Sequence, residues 1–178
     1  MCARCLCRLS PLARCRAIGP YDGTLRAIVH AFKYEGCRSL ARGLGSRLRV
    51  SAADVLGGAD IVVPVPLHRS RRRTRGFNQA RALAGELGVP LVDALRRTRA
   101  TPSQTDLPAE ARHDNMRNAF ALARGRARRT LEGRRIVLVD DVSTTGATIE
   151  ACAVVLRTAG AAEVSAVTAA RVVSRPTE

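Results

Sequence analysis

The 178-residue chain reads as a single α/β domain, a mainly parallel sheet flanked by helices, with a short Cys-rich segment ahead of it. Three observations predict this. Stretches of helical spacing alternate with short, continuously apolar runs, the pattern of strands covered on both faces. The clearest run, Ile136–Val139, leads through two acids into a turn of small hydroxylated residues and then a new helical pattern. Hydrophobic residues make up 46% of a chain long enough for one sizeable core and too short for two full domains.

Taken in order, residues 1–20 read as an irregular Cys-rich segment without a core of its own, and 21–178 as the domain proper. Leu25, Ile28, Val29 and Phe32 fall at i, i+3, i+4 and i+7, which predicts a helix from Thr24 that stops at Gly36. Leu40, Leu44 and Leu48 predict a second helix. Ile61–Val65 is apolar, β-branched and followed by Pro66, as expected of a buried strand. Leu67–Gly76 reads as a polar, arginine-laden loop. Ala80, Leu83, Ala84 and Leu87 share one face of a helix over Gln79–Leu87. Val89–Val92, interrupted at Pro90, reads as a second short strand. Residues 96–118 show little periodicity, and a segment of that length without regular structure is usually functional or flexible. Ile136–Val139 is a strand that ends in the two acids. Ile149, Cys152, Ala153 and Leu156 restore helical spacing up to Gly160, and Val164–Val167 is a further strand.

Charge is the most unusual bulk property. The net charge is +15, the pI is near 11.3, and Lys33 is the only lysine. Up to Arg75 there are 15 basic and 4 acidic residues, so the excess sits in the first half. Such a field attracts polyanions such as nucleic acid, phosphorylated metabolites or acidic lipid. An arginine-rich composition inherited from a GC-rich genome explains the same numbers. Five aromatics, Tyr21, Phe32, Tyr34, Phe77 and Phe120, leave little material for a base-stacking platform. No run approaches the roughly 18 apolar residues of a membrane helix. The first fifteen residues carry Cys and Arg where a secretory signal has an apolar core. A cytoplasmic address without membrane association is expected.

The chemistry concentrates in residues 136–148. A buried strand delivers Asp140 and Asp141 to the carboxyl edge of the sheet, where ligands bind in open α/β folds. Ser143, Thr144 and Thr145 then offer hydroxyl donors, and Gly146 and Ala147 let backbone N–H groups approach closely. The helix that begins at Ala147 and Thr148 adds unpaired N–H groups and the positive end of a dipole. Together these parts form a phosphate cradle. The carboxylates suit vicinal ribose hydroxyls or a divalent cation. Because successive strand residues face opposite ways, the two acids should take different roles. Ordinary helix capping accounts for one such residue, not for the whole run. No Walker loop occurs, and Gly43-Leu44-Gly45 lacks the third glycine and preceding strand of a dinucleotide fingerprint.

A hydrophobic strand, Asp140-Asp141 and Thr144-Thr145-Gly146-Ala147-Thr148 is similar to the phosphoribosyl pyrophosphate (PRPP) motif of type I phosphoribosyltransferases. More specifically, the chain resembles the ComF family of ComFC-like competence proteins. The blocks that carry the likeness are Gly19-Pro20-Tyr21-Asp22-Gly23, Ala31-Phe32-Lys33-Tyr34-Glu35-Gly36, Val63-Pro64-Val65-Pro66-Leu67-His68 and Arg71-Arg72-Arg73-Thr74-Arg75-Gly76-Phe77-Asn78-Gln79. The later Arg112, Asn115, Ala119, Phe120 spacing also matches, and the resemblance spans residues 17–172 in one order. It implies a type I phosphoribosyltransferase-like fold, with Ser143–Thr148 on the 5-phosphate of PRPP. Asp140 and Asp141 would take the ribose hydroxyls, directly or beside Mg²⁺. Pro66, Leu67, His68 and Arg69 would form the pyrophosphate loop, and residues 96–118 a hood. Arg71, Arg72, Arg73 and Arg75 supply positive charge for departing pyrophosphate or, equally, a solvated or DNA-contacting loop. His68 reads as a loop anchor first and a base second.

Relatives in this family carry two Cys-x-x-Cys pairs resembling a four-thiolate zinc knuckle. Cys2 and Cys5 look like the second pair, and Cys7 and Cys15 complete four thiolates for Zn²⁺. A metal-free remnant is the competing reading. The family likeness further implies a role with incoming single-stranded DNA and DNA-uptake machinery proteins in natural transformation. The alternatives are an active PRPP-dependent transferase on an unknown acceptor and a PRPP-responsive regulator.

Overall fold

The computed structural model describes residues 10–98, 119–123 and 127–173. Strand β1 (Cys15–Pro20) is followed by α1 (Gly23–Tyr34), α2 (Leu40–Ser51) and the single turn α3 (Ala53–Leu56). Next come β2 (Ile61–Pro64), α4 (Arg69–Arg75), α5 (Gln79–Gly85), β3 (Leu95–Arg97) and β4 (Phe120–Leu122). The chain continues with α6 (Ala127–Leu131), β5 (Arg135–Ser143), α7 (Ala147–Thr158) and β6 (Glu163–Arg171).

Four strands form a parallel sheet in the order β1-β6-β5-β2. Beyond β2, Leu91 makes one parallel bridge to Val62, flanked by N–H bonds from Val62 to Pro90 and from Val92 to Val62, so the Val89–Val92 run contributes a single bridge. Strands β3 and β4 pair antiparallel as a separate small sheet.

The apolar runs explain why the sheet is parallel. Ile61, Val62, Val63, Ile136, Val137, Leu138 and Val139 are all buried, and a strand that is apolar on both sides needs cover on both faces. Alternate residues supply two separate cores. Ile136 and Leu138 pack with Leu131, Phe120, Ile149, Cys152 and Leu156. Val137 and Val139 pack with Val29, Phe32, Leu44, Leu48 and Leu83. The first core is covered by α6, α7 and the β3–β4 pair, the second by α1, α2 and α5. No helix among the described residues is long and apolar enough to cross a membrane.

Three elements depart from the sequence expectation. Residues 15–20, read as irregular, form edge strand β1, in register with β6 from Cys15↔Ala166 to Pro20↔Arg171. Gly19 and Pro20 disguise it, yet proline is tolerated on an edge. Strand β5 does not end at the acids; its pairing with β6 runs through Asp140↔Thr168 to Ser143↔Arg171. The arginine-laden loop contains helix α4. His68 caps its start and Gly76, at φ 75°, ends it, while arginine itself is a good helix former.

Candidate functional site

Strand β5 carries its two-faced pattern past the core and into the acids. Asp140 continues the row of Ile136 and Leu138, and Asp141 that of Val137 and Val139, so the adjacent carboxylates leave the sheet on opposite sides.

Asp140 opens into a shallow hollow with Ser143, Thr144, Gly146, Ala147 and Thr148. Thr144 is exposed and Thr145, Gly146 and Thr148 are partly so, which leaves the turn accessible beside the acid. Gly146 stands at φ 82° as the residue before α7, a left-handed conformation costly for any side chain with a Cβ. Thr145 Oγ1 accepts from the Ala147 N–H at 3.4 Å, tightening the turn onto the helix start. That helix is 12 residues long, enough to present a dipole and N–H groups without intrahelical acceptors. Its first turn also holds Glu150, which competes electrostatically with an incoming anion. Burial, and after it the charge of Asp141, pushes the Asp140 carboxyl up to about 7, against the pull of the Asp141 N–H, Lys33 and Arg97.

Asp141 is held differently. Its carboxylate pairs with Lys33 Nζ at 3.1 Å and, more loosely, with Arg75 Nη1 at 3.9 Å. All three side chains are largely covered, at 11–14% exposure. The Arg75 guanidinium also donates to Gln79 Oε1 and to the Tyr34 hydroxyl, both at 3.5 Å, and lies 5.1 Å over the Tyr34 ring. Buried Gln79 in turn donates to the Lys33 carbonyl at 3.4 Å.

The segment after β2 lies against the same strand end, because the Val65 N–H donates to the Val139 carbonyl at 2.9 Å. Asn78 fastens it from below, donating to the Val65 carbonyl at 3.1 Å while its Oδ1 caps α5. Pro66, Leu67 and His68 are partly exposed. His68 Nδ1 accepts from the Ser70 N–H at 3.3 Å and lies 2.8 Å from Ser70 Oγ, which makes it the N-terminal cap of α4. Arg69 begins that helix. Arg72 and Arg73 are exposed, and Arg71 and Arg75 are partly buried.

Two further residues belong to this region. Arg97 on β3 lies under the Asp140 side, with its guanidinium 5.4 Å from the Phe120 ring. Burial, then the charge of Arg71, lowers its pKa, while Cys152 and Asp140 oppose the shift. Nothing in the unperiodic sequence around it marks that position. Lys33 did leave a signal, as the only lysine of a chain otherwise committed to arginine.

Of the cysteines, Cys2, Cys5 and Cys7 lie outside the described residues. Cys15 sits in β1, packs against the first core and has its thiol pKa raised by burial, against Arg171 and Arg16. Among the described residues no cluster of three His, Cys, Asp or Glu side chains is placed to hold a metal. Most of the hood segment, residues 99–118, also lies outside the described residues.

Residues 73–178 match the phosphoribosyl transferase domain family. The chain is 35% identical over 173 residues to the DNA utilization protein YhgH of Escherichia coli K12, covering 92% of this chain and 74% of that one. It is 32% identical over 173 residues to competence protein F of Haemophilus influenzae, with the same two coverages. Among solved structures it is similar to glutamine PRPP amidotransferase from Bacillus subtilis, at 28% identity and a TM-score of 0.48, over 74% of this chain and 26% of that larger one.

Proposed function

We infer the function from the family to which this chain belongs, the phosphoribosyl transferase domain family in its ComF branch: it binds PRPP or a ribose 5-phosphate group at the end of β5 and serves the uptake of single-stranded DNA. One observation carries the ligand reading. Asp140 and the hydroxyl-rich turn open into one hollow at the carboxyl edge of a parallel sheet, where a helix begins.

In this reading the N–H groups and hydroxyls of Ser143–Thr148 hold the 5-phosphate, and Asp140 accepts hydrogen bonds from the ribose hydroxyls. Pro66–Arg69 and Arg71 face the pyrophosphate half. A magnesium ion fits this donor set. Mg²⁺ is typically bound by one or two carboxylates plus substrate phosphates, and Asp140 supplies one carboxylate on the open side. When bound, the ion neutralises pyrophosphate charge, while this chain's residues orient the sugar and exclude water from one face. In the alternative reading as an active transferase, displacement of pyrophosphate by an acceptor draws on the same positioning and on the positive charge around α4. The zinc assignment rests on Cys2, Cys5, Cys7 and Cys15, and metal content of the purified protein tests it.

The DNA role draws on the DNA utilization and competence relatives and on the basic half of the chain. Arg72 and Arg73 are exposed on α4 and suit a polyanion, from a cytoplasmic position beside DNA-uptake proteins. Replacing both by Ala should weaken single-strand binding and lower its salt dependence.

The ligand reading is tested by thermal denaturation. PRPP with Mg²⁺ at about 100 times its Kd should add about 2.7 kcal/mol of stability. Asp140→Asn should remove that increment. An unchanged melting temperature at millimolar PRPP would contradict the reading.

A further inference from the structure

Helix α4 has no apolar anchor of its own. None of Ser70–Arg75 is buried, and seven residues are too few for a helix that holds itself together in water. Its His68 cap is internal to the same segment and fixes nothing to the rest of the protein. What ties it down lies at its other end. The Gly76 carbonyl accepts from Arg38 at 3.0 Å, and Phe77 packs edge-on against Phe32 at 5.5 Å. Arg75 reaches Asp141, Gln79 and Tyr34.

Three stretches far apart in sequence therefore meet at one point: Phe32-Lys33-Tyr34 from α1, Arg75–Gln79 after α4, and Asp141 from β5. The closest contact there is Lys33 to Asp141. Lys33 and Arg75 share one carboxylate, so the largely covered cluster carries one surplus positive charge. With Lys33 present, the Asp141 carboxylate is fixed by the nearer cation and held where the more distant Arg75 reaches it. Without Lys33, Asp141 turns fully to Arg75, and the end of α4 is drawn from its present place.

Resting on the ligand reading above, we propose that Lys33 is a positioning residue for the pyrophosphate half of the ligand: through Asp141 and Arg75 it sets the place of the Pro66–Arg75 segment and leaves the 5-phosphate turn alone. Asp141 is then the anchor of that segment and not a ligand of the sugar. The turn is built on the other side of β5, from Ser143–Thr148 and α7, where Thr145 Oγ1 accepts from the Ala147 N–H.

The test is a pair of affinities measured by calorimetry at about pH 9, where losing the Lys33 charge no longer alters the ionisation of Asp140, for PRPP with Mg²⁺ and ribose 5-phosphate without it, on the full chain. Lys33→Met should weaken PRPP at least tenfold and leave ribose 5-phosphate within twofold, and Lys33→Arg should restore PRPP to within about threefold. A purely structural lysine moves both ligands together or neither, and either result would overturn the proposal. Should Lys33→Met fail to fold, Lys33→Gln keeps a polar side chain beside the Asp141–Arg75 pair, which stays neutral as a pair. It should still lose PRPP selectively, and equal loss of ribose 5-phosphate would overturn the proposal. Wild-type protein that binds neither compound defeats the ligand reading itself, and the proposal with it. Wild-type protein that binds both, beside an indistinguishable Lys33→Met, defeats the proposal alone.

Discussion

Asp140 and Asp141 are neighbours in sequence and strangers in surroundings. On one side of β5, Asp140 meets a hydroxyl-rich turn, a helix start and an accessible hollow, and burial pushes its carboxyl up to about 7. On the other, Asp141 is clamped by two cations, one of which, Arg75, also donates to Gln79 and Tyr34. The strand's period of two is enough to produce this difference. A paired-acid motif at a strand end therefore need not be one bidentate device. It can be a ligand group and a scaffold group set side by side.

The sharpest way to break the comparison is to remove each charge in turn. Asp141→Asn leaves Lys33 and Arg75 covered without their anion and should destabilise the protein by about 2–4 kcal/mol in chemical denaturation. Asp140→Asn should do the reverse, because it deletes a carboxylate that folding desolvates. Its folded pKa lies above its unfolded value, so the folded state holds the extra proton between about pH 4 and 7, and stability falls as pH rises through that window. The stabilisation by Asp140→Asn should thus be nearly absent at about pH 4 and grow as pH rises to about 7, levelling off at no more than about 4 kcal/mol at about pH 8. Equal and same-signed effects of the two substitutions would erase the distinction.

Ligand binding should carry the same signature. If Asp140 accepts hydrogen bonds from ribose hydroxyls, its ionised form binds better, and affinity for ribose 5-phosphate should rise with pH up to about 7 and level off above. Asp140→Asn should flatten that profile. A smaller effect is expected on the turn: Gly146→Val forces a β-branched residue to φ 82° and should cost about 1–3 kcal/mol, with loss of phosphate binding. Smallest of all is Thr168→Val. Thr168 is the β6 register partner of Asp140, fully buried, and its hydroxyl has no hydrogen-bond partner among the described residues. The substitution should be neutral or stabilising by up to about 1 kcal/mol. A clear loss of stability would mean that the hydroxyl is bonded after all.

Much of this arrangement was legible beforehand. Continuous apolar runs at Ile61–Val65 and Ile136–Val139 announced a parallel sheet, and Leu25 to Phe32 announced α1, because burial on both faces or on one helical stripe leaves a clear period. The opposite facing of the two acids followed from the strand pleat. Other parts could not be read. Edge strand β1 is apolar on too few positions to stand out, and α4 has no apolar period because nothing apolar holds it. The lengthening of β5 past Val139 depends on a partner in β6 that local sequence does not reveal. The pairing of Lys33 with Asp141 joins residues 108 positions apart, and only the fold brings them together.

The central claim is geometric and is most directly tested by a crystal structure of the protein soaked with ribose 5-phosphate. The phosphate should lie within hydrogen-bonding distance of the Thr144–Thr148 N–H groups and hydroxyls, with the sugar hydroxyls on Asp140 and the Lys33–Asp141 pair intact. A phosphate bound elsewhere, or a sugar seated on Asp141 with that pair broken, would contradict the account.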